Sequence, residues 1–150
     1  MTDSKRRPRR RPVVVARYWA PLLLWMAAIF TLSSLSSKTI ESTGAAETAA
    51  RSFPSIVNQV SVHIVEFGVM AALMYRVAAW IRPTGAPYLW AVVVVATAAY
   101  GATDEFHQSF VPGRYASWLD LGYDATGAVA GVAFAVVWAW IWPRLRRAAR

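Results

Sequence analysis

The chain has 150 residues, a length that predicts a single domain without a separate soluble catalytic module. Hydrophobic residues make up 57% and charged residues 16%, whereas a soluble domain has about 45 to 50% and about 25%. The composition therefore excludes an ordinary water-soluble domain. The net charge of +8 fits either a nucleic-acid partner or the orientation signals of a membrane protein. Cysteine is absent, which excludes disulfides, thiolate nucleophiles and cysteine-ligated metal centres.

Four apolar stretches approach the length of about 20 residues that a helix needs to cross a hydrocarbon core about 30 Å thick. They cover residues 18–35, 57–81, 88–102 with a polar extension through 108, and 119–142. A polar loop (36–56) and two turns rich in Pro and Gly (82–87 and 111–117) separate them. The pattern predicts an all-α membrane protein with a bundle of four transmembrane helices.

The charges predict the orientation of this bundle. Of the 16 Lys and Arg residues, 13 fall on the side that holds both termini, while seven of the eight acids fall on the other side or in its half of the membrane. The positive-inside rule then places both termini in the cytoplasm. We therefore expect a multi-pass protein of the bacterial cytoplasmic membrane, with basic tails at 1–17 and 143–150 around a transmembrane domain at 18–142.

The Arg-rich start permits two other interpretations. It resembles a nucleic-acid-binding arm, but it adjoins an apolar span and has no folded domain beside it, which favours orientation or binding of anionic lipid. A basic start, an apolar stretch and small residues are also typical of a cleavable signal peptide. The sequence favours no nucleic-acid partner, and at this point it leaves both a resident first helix and a signal peptide open.

Ionisable side chains inside a span cost about 2.5 to 3.5 kcal/mol each, so they indicate a functional site by default. The helices alternate in direction, so the polar residues of the second, third and fourth spans meet near the outer surface. Helical spacing puts Glu66 on the face of His63, and Asp124 on that of Asp120. The full set is His63, Glu66, Asp104, Glu105, His107, Gln108, Arg114, Asp120 and Asp124.

This set supports three kinds of chemistry. His63, Glu66, Asp104 and Glu105 are candidate catalytic residues, with Glu66 or Asp104 as proton acceptor. The others, His107, Gln108, Arg114, Asp120 and Asp124, are candidate ligand-binding residues, with Arg114 holding an anionic group. A metal such as zinc or manganese is the second option, with His63, His107 and two or three of the carboxylates as ligands. No strong metal signature is present, so we predict no metal or cofactor. The third option is that the polar residues only join helices by hydrogen bonds.

Small residues mark two further features. Gly127 and Gly131 continue the stripe of Asp120 and Asp124, which predicts close helix packing, either within the chain or across a homodimer. The serines at the outer end of the first span are expected at the membrane interface, with a place beside the polar cluster as the alternative: Ser33, Ser34, Ser36 and Ser37.

Between about residues 32 and 138 the sequence resembles the VanZ-like family of small bacterial membrane proteins. The resemblance rests on His63 with Glu66 and Phe67, on the segment DEFHQSFVPGR at 104–114, and on Asp120, Asp124 and Gly127. The segment at 104–114 is the specific part. Family members often have an acidic-basic pair before the His and a Tyr after it, where this chain has Gln59, Val60 and Phe67, so no role of a lysine or phenol is carried over.

The resemblance implies a polytopic membrane protein of the cell envelope, in a family named for a component associated with reduced teicoplanin susceptibility. Our leading hypothesis is an outer-face pocket that binds or modifies a cell-wall precursor or lipid headgroup, either anionic or peptide-like. One alternative is a non-enzymatic structural or partner-binding protein, and another is a metal-dependent intramembrane hydrolase. Whether the protein is an enzyme is left open. The expected partners are membrane lipids and the envelope ligand.

Overall fold

The computed structural model describes residues 12–35, 55–82 and 88–148, and every regular element in these ranges is an α-helix. The helices are α1 (Pro12–Ser33), α2 (Ser55–Ile81), α3 (Leu89–Gln108) and α4 (Trp118–Ala148). Each coincides with one predicted apolar stretch, so the all-helical prediction is confirmed. The differences lie at the ends, because α1 begins six residues before the predicted span and α4 continues six residues beyond it.

Three helices are long and apolar enough to cross a membrane, over Pro12–Ser33, Val60–Ile81 and Trp118–Leu145. Large apolar side chains are exposed on the outer surfaces of the helices, among them Leu24, Val95 and Phe134. Such continuous apolar surface is stable against lipid and unfavourable against water. The chain is therefore a helical membrane protein.

The contacts between helices define their directions. Tyr18 stacks on Trp80 at 4.8 Å between ring centroids, and Trp25 Nε1 donates a hydrogen bond of 2.9 Å to the carbonyl of Glu66, so α1 and α2 are antiparallel. Tyr100 donates to the carbonyl of Met26 across 2.8 Å and Ser33 donates to Asp104, so α3 is parallel to α1. Gly127 lies against Ile64 and Gly131 against Gly68, so α4 runs parallel to α2. The chain thus runs up, down, up and down, as alternation of the spans predicts.

Helices α2 and α4 approach each other closely because glycines lie where they meet. A Cβ atom on Gly127 would lie 2.5 Å from the carbonyl oxygen of Ile64, and one on Gly131 would overlap the carbonyl of Gly68. Only glycine permits this separation of the two backbones. The predicted stripe therefore packs within the chain, and a homodimer through the same glycines stays a prediction.

The apolar core lies below the polar end of the bundle. One buried cluster joins α1 and α2 through Leu22, Ile29, Phe67, Met70 and Val77, and another joins α2, α3 and α4 through Ala71, Val93, Ala128 and Val132.

The turn at 111–117 lies where the sequence predicts it, with Gly113 at φ 80°, a backbone conformation that favours glycine. The predictions for residues 1–11 and for Ser36 and Ser37 lie outside the described residues. The same holds for most of the loop at 36–56 and most of the turn at 82–87.

Candidate functional site

His63 links α2 to the start of α4. Its Nδ1 donates a hydrogen bond of 2.8 Å to Oδ1 of Asp124, and its Nε2 lies 3.8 Å from Oδ2 of Asp120. Asp120 and Asp124 are one helical turn apart and therefore share the face that α4 turns towards α2. The imidazole is thus held between two carboxylates of the neighbouring helix.

Glu105 connects α3 to the start of α4, beside His63. Its Oε2 accepts a hydrogen bond of 2.7 Å from the backbone amide of Ser117, the residue before α4. The hydroxyl of Ser117 accepts in turn from the amide of Asp120 at 3.3 Å, which caps the N-terminus of α4. Glu105 therefore fixes the start of α4 against the end of α3.

Two carboxylate oxygens at this place have no hydrogen-bond partner among the described residues, although both are fully buried. They are Oε1 of Glu105 and Oδ2 of Asp124. One atom each of His63, Glu105 and Asp124 lies within 4.8 Å of the other two. A buried polar atom without a partner is costly, so each requires an explanation.

Asp104 forms a separate group with fully paired oxygens. Ser33 of α1 donates to its Oδ1 across 2.6 Å, and Gln108 donates to its Oδ2 across 2.8 Å. All three side chains are buried. This group fastens α3 to α1.

His107 and Arg114 contact the end of α1. His107 Nε2 lies in a hydrogen bond of 3.0 Å with the hydroxyl of Ser34, and its ring stacks on Phe30 at 4.5 Å. The Arg114 guanidinium donates to the carbonyls of Leu32 and Leu35, each at 3.3 Å. The Leu32 carbonyl also accepts from the backbone amide of Leu35 at 3.2 Å, so Arg114 reinforces the turn that ends α1.

Glu66 is half-buried on α2, within electrostatic range of His63, Asp104 and Arg114. It is therefore near members of both the His63 group and the Asp104 group. Sequence spacing places it on the face of His63, and the structure keeps it in the polar end of the bundle.

A cavity of about 300 Å³ lies between the ends of α3 and α4. Glu105 and Ser117 supply its polar atoms, and the rest of its wall is apolar: Ala102, Phe106, Ala116, Trp118 and Leu121. A larger groove of about 1020 Å³ lies at the other end, between α1, α2 and α4, with Tyr18, Trp80, Trp138 and Trp142 along it. Of these two cavities among the described residues, the smaller one adjoins the polar cluster.

The structure brings the nine predicted residues to one end of the bundle and sorts them into smaller groups. His63, Glu105, Asp120 and Asp124 lie together, and Asp104 and Gln108 form a second group. His107 and Arg114 lie against α1, and Glu66 is within electrostatic range of the first two groups.

The structure does not bring His63 and His107 together as ligands of one metal, because the His107 ring lies against Ser34 and Phe30. The expectation that Ser33 is an interface residue is also wrong, since it is buried against Asp104.

Ser117 is a partner that the sequence did not assign to the site, and Ser33 and Ser34 were placed beside it only as the alternative. Their side chains are short hydroxyls near helix ends, where a serine is common for many reasons. The order S-W-L-D at 117–120, a small polar residue three positions before an acid, is a usable helix-start signal for Ser117.

Neither a curated protein nor a solved structure matches the chain. A protein-family model described as VanZ/LLP1 matches residues 18–140, which is most of the length of this chain. The match contains all four helix cores and every group of the polar cluster. The chain belongs to the VanZ/LLP1 family.

Proposed function

We propose that the protein crosses the bacterial cytoplasmic membrane four times, with both termini in the cytoplasm. Helix α3 has 20 residues and is therefore about 30 Å long, the thickness of the hydrocarbon core. It packs against α2 and α4 and exposes Trp90, Val92 and Val95 on its other side. The described arginines other than Arg114 lie at the end away from the polar cluster, which supports a cytoplasmic assignment for that end.

The outer end then binds an envelope ligand in the cavity between α3 and α4. The observation that carries this proposal is the position of Glu105, which lines the cavity and also belongs to the buried group with His63 and Asp124. A mostly apolar cavity with a few fixed polar groups is the usual form of a small-molecule site.

The residues that line this cavity favour a ligand with an apolar part and hydrogen-bond donors. Phe106, Trp118 and Leu121 supply the apolar surface, and the ionisable residue of the wall is a carboxylate. Arg114, the candidate anion clamp, donates to helix carbonyls and is not part of this wall. Of the ligands considered, the peptide portion of a lipid-linked cell-wall precursor fits best, and binding it would link the protein to teicoplanin susceptibility.

The test is to fill the cavity without changing the polar cluster. Ala116 lines the cavity, so the ring of Ala116→Phe is expected to fill part of it, whereas the control Ala130→Phe adds a ring at an exposed position of α4 outside the lining. We expect Ala116→Phe to weaken binding of a fluorescent lipid-linked precursor to purified protein at least tenfold. At equal protein abundance, it should also abolish any change in teicoplanin susceptibility that the wild-type chain confers. Unchanged binding in Ala116→Phe, or no binding by the wild type, would overturn the proposal.

A structural role is the second candidate, because several polar residues join different helices in closed hydrogen bonds. Ser33 with Asp104 and Ser34 with His107 connect α1 to α3, and His63 with Asp124 connects α2 to α4. If this is the whole function of the cluster, substitutions there lower protein abundance in the membrane, and cavity filling has no effect on binding.

A further inference from the structure

We infer that His63, Glu105 and Asp124 form a binding site for a divalent cation. These residues come from three different helices, α2, α3 and α4, and one atom of each lies within 4.8 Å of the other two. An imidazole nitrogen with two carboxylates is a donor set that suits zinc or manganese. The inference does not depend on the proposed ligand of the cavity.

The two unpaired oxygens give independent support. Glu105 is 6% exposed and Asp124 is 1% exposed, and each has one oxygen without a hydrogen-bond donor among the described residues. Asp124 Oδ2 faces Gly101 of α3, where an added Cβ would lie 2.7 Å from it. Glu105 follows Gly101 by one turn, so both carboxylates occupy the same narrow space between α3 and α4.

The charge around this space also favours a cation. Glu105 and Asp124 are both buried here, and the basic group beside them is the His63 imidazole, which Asp120 also approaches. The guanidinium of Arg114, the described arginine at the polar end, donates to the carbonyls of Leu32 and Leu35. Buried carboxylates are stable when they are paired or when they ligate a metal. A divalent cation would neutralise the group and supply a partner for the unpaired oxygens.

The three candidate ligand atoms are slightly farther apart than they would be around a bound ion. Ligand atoms at about 2.1 Å from a tetrahedral zinc ion lie about 3.4 Å apart. From a separation of at most 4.8 Å, the side-chain ends need to move by about 1 Å. Three protein ligands also leave a coordination position for water or another small ligand, as in catalytic zinc sites.

The experiment measures metal affinity directly, on the full-length chain purified in detergent and stripped with a chelator. Zinc chloride and manganese chloride are titrated separately, and the metal content after desalting is determined by mass spectrometry. We expect about one equivalent of zinc or manganese per wild-type chain. Glu105→Gln and Asp124→Asn, which keep side-chain size, should each weaken binding at least tenfold.

The matched control is His107→Gln, since His107 belongs to the polar end but lies outside the three-residue group. It should bind the ion as the wild type does. Zinc should also raise the midpoint of thermal unfolding of the wild type and of His107→Gln. This measurement tests the site even if Glu105→Gln and Asp124→Asn do not fold.

No metal-dependent shift in the wild type, or equal affinity in the wild type and Glu105→Gln, would overturn the inference. Loss of binding in His107→Gln would contradict the assignment of the ligands. Each of these results is separate from precursor binding in the cavity, which Ala116→Phe tests.

Discussion

Asp104 illustrates how one buried carboxylate holds two helices together. Ser33 and Gln108 each donate to one of its oxygens, and Ser33 is its only such partner on α1 among the described residues. Removing one partner of a buried pair leaves the other unsatisfied, which costs more than the hydrogen bond alone contributes. The Ser33 hydroxyl therefore stabilises the packing of α1.

Replacing Ser33 with Ala should lower the free energy of unfolding in detergent by about 1 kcal/mol, because Asp104 Oδ1 loses its donor. The control is Thr31→Ala on the same helix, where the hydroxyl donates to the carbonyl of Ala27 and is exposed. That variant should change stability by less than about 0.5 kcal/mol. Equal stabilities of Ser33→Ala and the wild type would show that the Asp104 group does not fasten α1.

Helix spacing predicted which polar residues share an end of the bundle but not which residues pair. His63 lies against Asp124 because the rotation of α2 about its axis is set by the glycine contact with α4. Nothing in the local sequence determines that rotation. The hydrogen bond between His107 and Ser34 and the one from Arg114 to α1 also depend on tertiary packing.

Helix α4 makes two different kinds of contact along one face. Asp120 and Asp124 face α2 at the polar end, and Gly127 and Gly131 continue that face towards the membrane centre. The polar residues and the close packing are therefore coupled, since a shift of α4 against α2 would also move Asp124 from His63. The spacing of four predicted this stripe, whereas its partner helix became clear only in the structure.

A methyl group on Gly131 should force α2 and α4 apart, because its Cβ would overlap the backbone carbonyl of Gly68. Gly131→Ala should lower the free energy of unfolding by about 2 kcal/mol. The control is Gly122→Ala on the same helix, where an added Cβ meets nothing within 4 Å.

Alanine is the better helix former, so the control should be neutral or more stable by up to about 1 kcal/mol. The two variants are compared by unfolding in detergent at equal chain concentration. Similar stability of both would contradict the close approach of α2 and α4.

Across the whole molecule the two ends differ in chemistry. One end carries the buried carboxylates with His63 and His107, and the other carries stacked aromatic rings, including Tyr18 on Trp80 and Trp138 on Trp142. Arg76 lies over the Tyr18 ring at 4.8 Å, and Arg144 and Arg147 lie near the end of α4. Aromatic and basic residues together are typical of the cytoplasmic interface.

Composition and charge were sufficient to predict four helices and their alternation, because apolar length and Pro-Gly turns are local signals. The ends of α1 and α4 were less accurate. The predicted spans stop at the thickness of the membrane, whereas a helix continues into the interface for as long as its backbone hydrogen bonds do.

An envelope ligand can reach the polar end only if that end faces outside the cell, so sidedness is the decisive property. The chain has no cysteine, so single cysteines can be introduced and labelled without removing others. Tyr115, which is 87% exposed in the turn before α4, represents the polar end, and Leu145 near the end of α4 represents the other. A membrane-impermeant maleimide should label Tyr115→Cys in intact cells and Leu145→Cys only after the cells are opened. Labelling of Leu145→Cys but not Tyr115→Cys in intact cells would place the polar end in the cytoplasm and contradict the proposed function.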